Sequence, residues 1–139
     1  MRRHNVRNSK GQVFVEVLCG MFILIPIALL ALDLIVLILG NSANDSLAKN
    51  CARAAANQQT AEKAQDAAQQ VVKDFPFSPL IEKVELDTSK LKFDSKENVT
   101  TETVLTVRIP ITLPGTKQKI AFRARATEPV VGVSAAPVY

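Results

Sequence analysis

Residues that usually announce catalysis or metal binding are scarce in this chain. Its 139 residues include one histidine, His4, and two cysteines, Cys19 and Cys51. Neither cysteine has a second Cys or His close by, so the spacing of a zinc-type site is missing. No G-x-S-x-G, H-E-x-x-H, phosphate-binding glycine loop or Cys–His pair occurs, which removes the sequence basis for the common hydrolase, metalloprotease and nucleotide-binding classes. Aromatic residues make up 5% of the chain and no basic patch is interleaved with them, so stacking on nucleic-acid bases has little to work with. The expectation is a protein that is not an enzyme, with no cofactor, metal, nucleic-acid partner or small-molecule substrate. Glu82, Glu85 and Asp87 have Lys83 beside them and read as a solvated face rather than a catalytic pair. Asn98-Val99-Thr100 matches a glycosylation sequon, a frequent chance pattern that matters only in a eukaryotic secretory route.

Charge is present but unevenly placed. Seventeen Lys and Arg stand against thirteen Asp and Glu, a formal +4. Arg2, Arg3, Arg7 and Lys10 sit in the first eleven residues without an acid, so the other 128 residues are balanced. The excess belongs to a short basic leader.

A long apolar run follows. Residues 17 to 40 read VLCGMFILIPIALLALDLIVLILG, interrupted by Asp33 as a charge. As a helix this run is ~36 Å long, against a hydrocarbon core of ~30 Å. A chain this short has no apolar surface elsewhere to surround so uniformly hydrophobic a helix, which favours a membrane span over a soluble core helix. The run also exceeds the ~7 to 15 apolar residues of a secretory signal peptide. Basic residues ahead of it place the N-terminus in the cytoplasm and the remainder outside. Pro26 predicts a bend within the span, because it removes one backbone hydrogen bond. Glu16 at the cytoplasmic edge and Asp33 near the far boundary are functional candidates, since an acid in the bilayer costs about 2.5 to 3.5 kcal/mol on the insertion scale. For Asp33 the alternatives are a carboxylate that snorkels or stays protonated, and a contact with a partner helix.

Gly11-Gln12-Val13-Phe14-Val15-Glu16 before an apolar run resembles the processing site of type IV prepilins. The resemblance implies cleavage between Gly11 and Gln12 by a membrane aspartyl prepilin peptidase, with Glu16 as the fifth residue of the mature chain. A buried carboxylate is tolerable beside a cation, and a free terminal ammonium of the same or a neighbouring chain is such a cation. Residues 8 to 56 are similar, more narrowly, to the TadE-like minor pilins of tight-adherence (Tad, Flp) systems. The shared features are the basic leader, Val15-Glu16, a proline in the span, a second acid near its end, and an Asn/Ala/Arg-rich helix, here NDSLAKNCARAAA. What the resemblance implies is a minor pilin or pseudopilin in the bacterial inner membrane, acting as a structural or assembly component of a pilus or secretion machine. Its partners would be other pilin subunits, the assembly platform, the peptidase and the lipid bilayer. The alternative is an uncleaved, single-pass anchored binding module.

The expected fold is α+β. A transmembrane helix over 12–40 continues as an exported amphipathic helix over 41–74, since residues 44 to 74 lack Pro and Gly and are rich in helix formers. Leu47, Cys51, Ala54, Ala61, Ala64, Ala68 and Val72 mark its apolar face at three- and four-residue spacing. Phe75-Pro76 and Pro79 stop it. Cys19 and Cys51, both on this helix and ~48 Å apart, cannot bond to each other within one chain; Cys51 is read as a small packing residue or, more sharply, as half of an intermolecular disulfide. A small antiparallel sheet occupies 75–128. Thr103, Leu105, Val107, Ile109, Ile111 and Leu113 alternate with Val104, Thr106, Arg108, Pro110 and Thr112, as do Ile120, Phe122, Ala124 and Ala126 with Ala121, Arg123, Arg125 and Thr127, with Pro114-Gly115 as the turn. Shorter strands are expected near 83–87 and 91–94, with Pro110 at an edge or bulge. Residues 129–139, rich in Pro, Val and Ala without a period, read as a flexible tail.

Overall fold

A computed structural model describes residues 9–76, 78–94, 97–111 and 118–131. The element order is α1 (Ser9–Ala56), α2 (Ala61–Lys73), β1 (Ile81–Leu86), a 3-10 turn (Thr88–Lys90), β2 (Lys92–Phe93), β3 (Asn98–Arg108) and β4 (Lys119–Pro129). This is an α+β fold: one long helix, a short helix folded back on it, and an antiparallel sheet.

α1 runs without interruption through Pro26, and it is the one helix among the described residues long and apolar enough to cross a membrane. Every described side chain from residue 11 to residue 32 is exposed, a length of ~33 Å. From Asp33 onward one stripe turns inward: Asp33, Gly40, Asn44, Leu47, Ala48, Cys51, Ala52, Ala55 and Ala56 are buried. Their spacing of three and four is the helical period of a single covered face.

The helix does not continue to residue 74. It stops at Ala56, and α2 begins only after residues 57 to 60. Asn57 and Gln58 close the end of α1 by donating to the carbonyls of Arg53 and Ala55. Thr60 then starts a new helix, its hydroxyl accepting from the Lys63 N–H at 3.4 Å and its extended backbone setting a new direction. N-capping threonines stabilise helix starts by satisfying an otherwise unpaired amide. Doubling back buries Ala64 and Ala68, so the two small-residue faces expected on one helix meet each other. The Cys51 thiol lies 3.6 Å from the Ala68 carbonyl oxygen. Bulkier residues would hold the helices further apart.

β3 is the central strand. β4 pairs with it antiparallel along its whole length, from Asn98↔Pro129 to Arg108↔Lys119. One edge of β3 is thereby filled, so β1, opposite residues 103 to 107, and β2, opposite Val99 and Thr100, share the other. The alternation expected of β3 and β4 holds: Thr103, Leu105 and Val107 face Ala124, Phe122 and Ile120 across the strands, on the side packed against α1. β3 also begins earlier, with Val99 and Thr101 fully buried.

Two boundaries move. Pro110 lies beyond the end of a central strand rather than on an edge strand, and the register irregularity falls in β1 between Ile81 and Lys83. The final stretch is not loose from residue 129: Pro129 ends β4, Val130 donates to the Glu97 carbonyl and Val131 to that of Ala56. Leu113, the Pro114-Gly115 turn, the leader through residue 8, and residues 132–139 lie outside the described residues.

Candidate functional site

Gly11 and Gln12 lie in the first turns of α1, and a Cβ built on Gly11 would meet nothing within 4 Å. Glu16 is one turn further along and exposed among Val13, Phe14, Val15 and Val17. The chain brings no partner to this acid among the described residues. Its neighbours on the same helix face are Gln12, Val13, Cys19 and Gly20, none of them charged and all of them exposed.

Asp33 is different. It is 9% exposed, and its carboxylate accepts from the Ile111 N–H at 3.4 Å. Pro26, Leu29, Leu30, Asp33 and Ile111 surround a small crevice of about 190 Å³. Of the expected positions, Pro26 and Asp33 are thus brought together beneath the segment that follows β3. Gly11, Gln12 and Glu16 stay apart from them. A carboxylate accepting a backbone N–H satisfies a donor freed where β3 ends, so Asp33 joins helix to loop within one chain.

The junction of helix and sheet contains residues that the sequence pattern did not single out. Asn44 is fully buried. Its amide donates to the carbonyls of Phe122, at 2.9 Å, and Thr103, at 3.4 Å, while its own oxygen accepts from the Thr103 hydroxyl at 2.8 Å. Four residues on, the Ala48 carbonyl accepts from the Thr101 hydroxyl at 3.0 Å. These bonds fix both height and rotation of α1 on the sheet. Gly40 allows the approach, since a Cβ there would lie 2.7 Å from a methyl of Val107. The signals available were weak: Asn44 stands in a polar triplet with Asp45 and Ser46, and Gly40 marks only the end of the apolar run, where the helix is expected to continue.

Cys51 is enclosed between α1 and α2, and burial pushes its thiol up to about 11. A buried, protonated thiol is a packing residue and not half of an intermolecular disulfide. The sheet acids are dispersed in surface pairs. Lys83 lies 2.5 Å from Glu85, Lys119 pairs with Glu82, and Lys90 bridges Glu102 and Asp87. The hydrogen bond from Ser89, with Lys90 nearby, holds the Asp87 carboxyl below its usual range. Comparison of the chain with family models, curated proteins and solved structures gives no match.

Proposed function

We propose that this chain is a minor pilin or pseudopilin of the tight-adherence type, a structural or assembly component anchored in the bacterial inner membrane with its sheet domain exported. The observation that carries the reading is the form of α1. A single helix presents about 33 Å of apolar surface on every side, with one exposed carboxylate, Glu16, five residues after Gly11. It then enters a small α+β domain without a break. Such a helix has apolar area for lipid and for the like helices of other subunits. An unpartnered acid at a fixed height suits registration by a cation on a neighbour.

In this reading a prepilin peptidase removes residues 1–11, and Gln12 becomes the amino terminus. The partners are then other pilin subunits and the assembly platform. Mass spectrometry of the chain from cells that hold the peptidase tests the proposal. A mature N-terminus at Gln12, abolished by a bulky residue at Gly11, supports it. A chain still starting at Met1 points instead to an uncleaved, anchored binding module. Glu16→Ala is expected to leave cleavage and insertion intact while reducing co-purification with pilus components; undiminished co-purification counts against the role given to this acid.

A further inference from the structure

β3 descends α1 toward the membrane end of the domain. Thr101 bonds at Ala48, Thr103 at Asn44, and Ile111 at Asp33, while Gly40 lies against Val107 between the last two. Ile111 also lines, with Leu29, Leu30 and Pro26, the crevice that opens on the helix below Asp33. A hydrocarbon core of ~30 Å counted from Gln12 ends near residue 32, and counted from Glu16 near residue 36. Ile111 therefore contacts α1 within its lipid-facing length. At this level and above it, α1 still exposes Leu34, Ile35, Ile38 and Leu39 on its other sides. The apolar coat of the helix overlaps the lower end of the sheet domain.

Ile109, Pro110 and Ile111 carry no charge, and Pro110 offers no N–H and is exposed. The Ile109 N–H donates to Gln118 at 2.9 Å and that of Ile111 to Asp33, so this stretch has no free amide to keep wet. Directly above it stands the exposed cross-strand pair Arg108↔Lys119. Lys119 is held by Glu82, whereas the Arg108 guanidinium has no partner among the described residues.

We propose that the root of the β3–β4 hairpin, Ile109 to Ile111, inserts into the outer leaflet of the bilayer that α1 crosses, with Arg108 at the level of the lipid phosphates. The domain then holds the membrane at two points, which sets its tilt as well as its distance. A long arginine can keep its head among phosphates while its stem covers apolar surface. The inference rests on α1 being membrane-inserted, and its test separates the two claims.

The chain contains no tryptophan, so a single introduced one reports its own surroundings. Full-length Pro110→Trp, Phe22→Trp and Glu97→Trp are reconstituted in vesicles of phosphatidylcholine and phosphatidylglycerol, with and without acyl-chain bromine. Circular dichroism checks that each keeps its fold. Phe22→Trp in the span and Pro110→Trp at the hairpin root are expected to emit blue-shifted light and lose most of it to brominated lipid. Glu97→Trp, at the opposite end of β3, keeps its emission. If Phe22→Trp is quenched and Pro110→Trp is not, the hairpin proposal fails while the span stands; if neither is quenched, both fail. Adding Arg108→Glu to Pro110→Trp is expected to lessen the quenching, and unchanged quenching would overturn the role given to Arg108. Should Pro110→Trp misfold, Ile109→Trp provides the same readout.

Discussion

The two halves of α1 share one secondary structure and differ in what covers them. Residues 11 to 32 touch no other part of the described chain closely enough to be covered, and Phe22 is 84% exposed. Residues 33 to 56 carry a buried stripe on which α2 and the sheet are built, with Leu47, Cys51 and Ala55 at its centre. Hydrophobicity alone does not distinguish the exposed coat of the first half from the buried stripe of the second; apolar residues of the coat are mostly large, and those of the stripe, Leu47 apart, are small. Size does: large side chains on all sides suit fluid hydrocarbon, while Ala, Cys and Gly let a second backbone come close. One helix thus offers an uncovered apolar rod long enough to cross a membrane and the spine of a folded domain.

That contrast can be broken by paired substitutions, scored by denaturation of the detergent-solubilised full chain followed by circular dichroism of the sheet. Leu47→Ala is expected to destabilise the domain by about 2 to 5 kcal/mol, through lost burial and a residual cavity. Ile23→Ala, an equally apolar change in the first half, should stay within about 0.5 kcal/mol. Equal losses would mean that the halves are not energetically distinct. Asn44→Ala should cost about 2 to 3 kcal/mol, because it leaves the buried Thr103 hydroxyl without its acceptor and two carbonyls without a donor. A midpoint unmoved by this change would show that the polar clamp is dispensable.

The glycines sharpen the same comparison. Gly40→Ala forces a methyl against Val107 and should cost about 1 to 3 kcal/mol. Gly20→Ala has open space around it and should be neutral or raise stability by up to about 1 kcal/mol through helix propensity.

The effect expected at Cys51 depends on pH. The thiol ionises near 9.0 when exposed and near 11 when buried. Between these values the unfolded chain has released a proton that the folded chain still holds. Its contribution is therefore complete below pH 9 and lost as pH rises toward 11, by about 1 to 2 kcal/mol. Cys51→Ala should flatten the stability profile by that amount relative to the native chain; parallel profiles would refute the assignment.

Much of this architecture was legible in the sequence because it depends on period and length. The apolar run gave one long helix able to cross a membrane, and alternation around Thr103 to Val107 and Ile120 to Ala126 gave two paired strands with the correct inner faces. The break at residues 57 to 60 was not legible, because Asn57-Gln58-Gln59-Thr60 lacks glycine and proline. What turns the chain there is the burial gained when the alanine face of α2 closes on that of α1, a tertiary effect that overrides propensity. Asn44 was hidden for a related reason. A polar residue on a helix looks solvent-facing until its partners 59 and 78 positions away are known. The positions of Gly11, Glu16 and Asp33 follow from the sequence, but the contact between Asp33 and Ile111 requires the fold.

The Asn44 clamp also fixes an azimuth. α1 is continuous between Glu16 and the sheet, so its phase of about 100° per residue sets where the acid points relative to the domain, roughly a quarter turn from the sheet-facing stripe. One residue inserted between Asp33 and Gly40 would lift the domain only ~1.5 Å but swing it by about 100°. Height would scarcely change, while Glu16 would point to a different side of the domain.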